Sequence, residues 1–514
     1  MEPWGRLVVL AVAITAVVSS PLANKLQPGK EWPTRNSVQQ PQDVWLQLQT
    51  STTDASDLST TELPPEEQTD AAIEAIEVTT EENNVILRTS DSENDPLEAV
   101  VPTEESNDIL VKSLEESEKV DYSGAQVWKV PTSSSKVRSL LGNLRSRNMI
   151  SPWGGNHSYI DLLVKPEAIN NVSQELRKQS VPFDVIIEDL QKRIDEENPP
   201  LDENEIELQD RQGHRMTWKQ YHRLTDIHGF MDYLAKTYPR IVSVNTIGKS
   251  FLGRDLKVLR ISDGKPTNKA VFIDGGIHAR EWISPATVTF FINQFAENFD
   301  EESDDVKNID WYFLPVVNPD GYEYTHQVDR LWRKNRRPAG TRQCLGTDLN
   351  RNFGHHWGGK GSSGNPCSDI YRGSNAFSEP ESKAVSDFIL NSAAEFKAYL
   401  TYHSYGQYLL YPWGYDDAVP PDYKDLDIVG KEIAQEIQRV GGSKYTVGSS
   451  SGVLYPASGG SDDWAKAQGI KYSYTIELSD TGRYGFILPT SFIEPVAKES
   501  LAGLRVLARK LNEA

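Results

Sequence analysis

The sequence predicts an α/β protein, a sheet sandwiched between helices, standing behind a small α+β unit. Three observations carry this. Strand-like and helix-like segments alternate over about 300 residues beyond Thr217, the pattern of a largely buried sheet with helical layers. A shorter set of alternating segments fills 121–198, and the chain's acidity is confined to a stretch that precedes both.

With 514 residues the chain has room for two or three domains. Only 38% of it is hydrophobic, which is low for a wholly folded chain. Residues 51–120 hold 20 Asp and Glu against Arg88, Lys112 and Lys119, a balance of −17 that leaves −4 of the total −21 for the remainder. Binding a phosphate backbone needs a basic face, so a net charge of −21 argues against nucleic acid as a partner. Two cysteines exclude a disulfide-dense scaffold and a four-thiolate zinc site.

Leu7–Val18 is an uncharged apolar run behind Arg6, too short to span about 30 Å of hydrocarbon. Ser19, Ser20 and Ala23 follow it, so 1–23 is expected to be a signal peptide and the protein secreted, with no membrane span. The sequons Asn156-His157-Ser158 and Asn171-Val172-Ser173 agree with that compartment. In it, Cys344 and Cys367 can close a loop, worth roughly 3 kcal/mol on the chain-entropy account.

Residues 24–120 lack any sustained hydrophobic period and are expected to be disordered, a solvated linker or an acidic tether. Order is expected from Val120: strands at Gln126–Val130, Tyr159–Val164 and Phe183–Ile187, and helices at Lys136–Arg147, Ala168–Lys178 and Glu188–Glu196. The Pro-rich acidic stretch from Asn198 reads as a linker over 199–216, with Arg211 and Arg215 open to a trypsin-like protease. Beyond it, strands are expected at Ala270–Ile277, Trp311–Val317, Ala398–Ser404 and Tyr472–Leu478. Helices are expected at Phe230–Tyr238, Pro285–Asn298, Glu379–Ser392, Asp425–Val440 and Pro495–Leu511.

Two residues at the end of the first of these strands attract attention. His278 and Glu281 are three apart on a turn, where both can face one ion. His403, closing the strand at 398–404, is the best third ligand. Two imidazoles and a carboxylate leave a catalytic zinc one position for water.

With these motifs the chain resembles the secreted zinc carboxypeptidases of the pancreatic A/B type, propeptide included, from about 121 to 510. The resemblance rests on Gly276–Trp282, Arg330–Lys334, Asp348-Leu349-Asn350-Arg351-Asn352, His403-Ser404-Tyr405, Tyr455–Gly460 and Thr475–Leu478. It implies an α/β/α sandwich around a mixed, mostly parallel eight-stranded sheet at 217–514, behind an open-sandwich activation domain at 121–198. It also implies one zinc ion held by His278, Glu281 and His403. Glu477 falls where the family keeps its general base, and Arg333 where it stabilises the oxyanion. Arg351 would grip the substrate's terminal carboxylate, with Asn350 beside it and Tyr455 closing over it. Arg280 and Tyr405 would line further subsites. Asp348 would accept the spare N–H of His278. Cys344 and Cys367 match the family's disulfide.

Asp462 directly follows Gly459-Gly460-Ser461, and the resemblance implies that this position is the floor of the pocket for the terminal side chain. A buried carboxylate there is left unpaired unless Lys or Arg enters, so basic C-terminal residues are the expected substrates. Ser450 and Gly452 suggest a pocket wall of small side chains. The alternatives are an A-type preference for aromatic or aliphatic ends, and a silent protein that binds peptide ends without cutting them. The expected partners are peptide C-termini and an activating trypsin-like protease, and the expected state is a monomer. Two strings are set aside: Gly359–Gly364 as a dinucleotide fingerprint, and Gly448-Ser449-Ser450-Ser451-Gly452 as a nucleophile elbow, each for want of the strand and helix it needs. The adjacent His355 and His356 are expected to be an ordinary polar pair rather than a second metal site.

Overall fold

The computed structural model describes residues 118–132, 134–341 and 344–513, and the backbone of two further strands, Ala75–Glu81 and Asn84–Thr89; the side chains of 208–212 and 340–341 are not described. The expected signal peptide lies outside the described residues, as does most of 24–120. Within that acidic stretch the expectation of no structure needs one correction: the two strands pair antiparallel. Their Val, Ile and Thr content suits a pleated strand despite the surrounding acidity.

Residues 126–187 form a four-stranded antiparallel sheet in the order Ile150–Gly155, Tyr159–Val164, Gln126–Pro131, Asp184–Ile187. Helices Ser135–Ser146 and Ile169–Lys178 pack on it through Leu140, Leu141, Leu144, Val172 and Leu176. Strand Ile150–Gly155 was not foreseen, because Pro152, Gly154 and Gly155 obscure its alternation; it sits at the sheet's edge, where such residues are tolerated.

The larger part is built on an eight-stranded sheet. Its order is Thr446–Ser449, Tyr408–Tyr411, Tyr472–Leu478, Phe396–Ser404, Lys269–Asp274, Ile309–Leu314, Asp255–Ile261, Val242–Lys249. The four central strands run parallel to one another. Strand alternation sends Val271 and Ile273 to one hydrophobic cluster with helices Ile283–Glu297, Tyr423–Gly441 and Ile493–Glu513. Ala270 and Phe272 go to the opposite cluster with helix Pro380–Asn391. The result is the expected sandwich, mixed in direction. The four strands missing from the expectation are the outer ones, two of them only four residues long, too short to show a period.

The connection at 199–216 differs from a simple linker. Glu203–Gln212 is helical, started by a capping box in which Asp202 accepts from the Glu205 N–H and the Glu205 side chain accepts from Asp202 N–H. Both capping residues are in the acidic run that suggested a linker, so the helix signal was present but masked by Pro199 and Pro200.

Candidate active site

The central strands deliver three residues to one end of the sheet, the carboxyl edge where open α/β sheets bind their ligands. His403 and Glu477 are register partners on neighbouring parallel strands. His278 follows strand Lys269–Asp274 after a turn in which Gly276 takes φ +61, a left-handed conformation that disfavours side chains.

His278, Glu281 and His403 meet there, all buried. Nδ1 of His278 lies 2.8 Å from Glu281 Oε1, and Nδ1 of His403 lies 3.1 Å from both Glu281 Oε2 and His278 Nδ1. The far nitrogens are occupied elsewhere: His278 Nε2 is 3.2 Å from Asp348 Oδ1, and His403 Nε2 is 3.0 Å from Thr401 Oγ1. Both Nδ1 lone pairs are thus free to turn toward a shared centre. Two imidazoles and one carboxylate fit a zinc-sized dication with a position left for water.

Asp348 serves two neighbours besides His278. Its Oδ2 accepts from Arg333 Nε at 3.1 Å and Nη2 at 2.9 Å, and its Oδ1 accepts from the Asn350 N–H at 3.0 Å. Burial raises its carboxyl, but Arg333 and His278 outweigh burial and hold it well below the usual carboxylate range. Arg333, Glu477, Asn350, Arg351, Arg280, Tyr405, Tyr455 and Asp462 all line one cavity with His278 and Glu281. Burial pushes the Glu477 carboxyl up to about 7 against the lowering pull of His403. Arg351 is buried and held by Nε to Gly361 O at 2.8 Å and Nη1 to Asn350 O at 2.7 Å. Asn350 Oδ1 accepts from Ser461 N–H at 2.9 Å, so its amide nitrogen is the end left for a ligand. Arg280 lies over the Phe486 ring at 4.0 Å.

Asp462 and Asp463 part ways. Asp463 is sealed, accepting the Gly414 N–H at 2.8 and 3.0 Å and the Tyr415 N–H at 2.9 Å. Asp462 faces the cavity and accepts a long hydrogen bond from Ser450 Oγ at 3.3 Å. Ser450 lines the cavity as expected, but Gly452 is exposed and does not. The reason for setting aside the nucleophile elbow also needs correction. Strand Thr446–Ser449 does run into the short helix Ser450–Val453, yet Ser450 Oγ contacts Tyr411 O and Asp462, with no imidazole beside it. His356 stacks on Tyr415 and His355 lies tilted against Trp413, and among the described residues they join no metal-binding group. Cys344 and Cys367 are bonded.

The N-terminal unit covers this cavity. Arg145, Pro152, Trp153, Gly154 and Gly155 form part of its wall. A Cβ on Gly154 would overlap the Tyr405 hydroxyl, so the approach requires glycine. Tyr405 Oη donates to the fully buried Asp161 at 2.7 Å, and Asn156 Nδ2 donates to Tyr408 Oη at 3.0 Å. Tyr455 packs against the unit's own core. Behind the roof, Glu197 takes Arg330 in a buried two-point pair, both contacts 2.7 Å. None of these cover residues was foreseen individually. Asp161 and Glu197 look like ordinary surface acids in sequence, and their partners Tyr405 and Arg330 lie 244 and 133 positions away.

Comparison with known proteins places both parts. A family model described as "Zinc carboxypeptidase" matches residues 227–503, and one described as "Carboxypeptidase activation peptide" matches 97–197. Carboxypeptidase B of Astacus astacus is 47% identical over 300 residues, covering 58% of this chain and 99% of that protein. Carboxypeptidase A4 of Mus musculus is 38% identical over 402 residues, covering 76% and 94%. The crystal structure of thrombin activatable fibrinolysis inhibitor superposes with a TM-score of 0.68 at 35% identity, covering 75% of this chain and 98% of that one. With a metal-ready His-Glu-His centre under a docked activation peptide, and similarity that runs through both parts, the chain belongs to the zinc carboxypeptidase family and is built as its zymogen.

Proposed function

We propose that this protein is a secreted zymogen whose cleaved form removes Lys and Arg from peptide C-termini. The observation that carries the specificity is Asp462, a carboxylate with little protein-side compensation that faces the cavity beside its sealed neighbour Asp463. A buried charge in that state is costly until a cation pairs with it.

In this reading His278, Glu281 and His403 hold the zinc, and Cys344–Cys367 tethers the loop beyond Arg333. Zinc, when bound, supplies Lewis acidity to a water and to the scissile carbonyl. Glu477 takes the water's proton and hands it to the departing amine; burial raises its basicity, and a neighbouring dication lowers it again. Arg333, its guanidinium fixed by Asp348, donates to the oxygen that gains charge. Arg351 and the Asn350 amide take the terminal carboxylate, which restricts cleavage to the last bond. Tyr455 closes over that end. Arg280 and Tyr405 receive residues further from the cut. Asp348 orients both His278 and Arg333.

Trypsin treatment is expected to raise activity strongly, because the covering unit shares the cavity wall with the catalytic residues. Arg215 is exposed while Met216 beside it is buried, and Arg211 lies in the helix Glu203–Gln212. Cutting therefore requires this segment to peel from the surface. Full activity in the uncut chain would contradict the reading. In the same assay, Glu197→Ala should give activity without cutting. Removing one partner of a buried pair costs roughly 3–5 kcal/mol, and here the loss falls on the cover's attachment. An uncut E197A chain as silent as the parent would show that this pair does not hold the cover.

The specificity itself is tested with trypsin-treated protein and peptides that differ only in the last residue. Faster release of Lys and Arg than of Phe and Leu is expected; the reverse order would establish the A-type preference.

A further inference from the structure

We propose that Asp274, acting through Thr401, is a positioning residue that fixes the metal-facing orientation of His403. This rests on the metal centre proposed above and concerns two residues outside it.

The two ligand imidazoles are supported in different ways. His278 leans directly on a carboxylate, Asp348, which Arg333 also engages. His403 has no carboxylate at its far nitrogen. Its Nε2 lies 3.0 Å from Thr401 Oγ1, and Thr401 Oγ1 donates to Asp274 Oδ1 at 2.7 Å. Thr401 has a single hydroxyl proton. Since Asp274 receives it, the hydroxyl meets the imidazole with a lone pair, and Nε2 must carry the ring's proton. The lone pair on Nδ1 is then the one turned toward Glu281 and His278. A carboxylate thus selects the tautomer of His403 at one remove.

The backbone makes the arrangement stiff. Thr401 and Asp274 are register partners on adjacent parallel strands. Thr401 and His403 are two apart, so the strand's alternation puts them on one face. The other oxygen of Asp274 accepts from Tyr399 Oη, on that face again, with the Tyr399 ring stacked on Phe272 at 5.8 Å. Asp274, Tyr399 and Thr401 are fully buried. Burial pushes the Asp274 carboxyl up to about 6 against the lowering pull of Tyr399, Thr401 and His403, and the two hydroxyls occupy both of its oxygens.

The test is zinc affinity, measured by chelator competition on the full-length chain, with Thr401→Val and Thr401→Ser beside the parent. Valine keeps the shape and removes the hydroxyl; serine keeps the hydroxyl. Loss of an outer hydrogen-bond partner commonly costs 10–100-fold in metal affinity, so T401V should weaken zinc by about that factor while T401S stays within about threefold. The visible spectrum of the cobalt-substituted T401V chain should change as well, a response that loss of packing alone would not produce in a variant whose metal-free melting temperature is unchanged. Zinc affinity in T401V within about twofold of the parent, or an equal loss in T401S, would overturn the relay. A parent chain that binds no zinc would instead overturn the metal centre itself, so the two failures are distinguishable.

Discussion

Replacing Glu477 with Gln is expected to lower kcat of the trypsin-treated protein by about 10³-fold, the middle to upper range for removing a general base or acid, with KM and zinc content near those of the parent. Gln has the same shape and keeps an acceptor oxygen, but it cannot take a proton. Glu477 stands opposite His403 in the parallel ladder and lines the same cavity as Arg333, the placement that the proposed base requires. A kcat loss with KM preserved marks an interaction made in the transition state. Loss of zinc from E477Q, or kcat within about tenfold of the parent, would remove Glu477 from that role.

Asp462→Ile is expected to reverse the preference. Release of Lys and Arg should fall by about 10²-fold or more, because a cation entering an apolar pocket loses a partner worth roughly 2–5 kcal/mol. Release of Leu and Phe should rise. Asp463 must be left intact in this experiment: its contacts to the Gly414 and Tyr415 N–H groups hold the loop that carries the cavity wall. Asp463→Asn is therefore expected to lower stability rather than switch specificity. If D462I still prefers Lys, the selecting charge is elsewhere in the cavity.

Much of the site was readable along the chain because its chemistry comes in short strings. His278 and Glu281 sit on one turn, Asn350 and Arg351 are adjacent, and Asp462 follows a Gly-Gly-Ser turn. The central strands were readable for a related reason: buried on both faces, they are continuous apolar runs such as Ala270–Ile273. What escaped depends on distant contacts. The Asp274–Thr401 contact spans 127 positions, and only the pairing of two parallel strands creates it; a signal existed in the lone acid that ends an apolar strand just before His278. The cover on Tyr405 joins residues 244 apart. The two four-residue outer strands and the helix at Glu203–Gln212 escaped for local reasons, the strands being short and the helix following a Pro-rich acidic run that also marks a linker.

The most direct test of the account is amino-acid release from C-terminal Lys, Arg, Phe and Leu peptides by trypsin-treated protein, run metal-stripped and again after one equivalent of zinc is restored. The predicted result is no release when stripped, recovery with zinc, and Lys and Arg released ahead of Phe and Leu. Release that persists without metal would contradict the zinc centre, and recovery led by Phe or Leu would contradict the role given to Asp462.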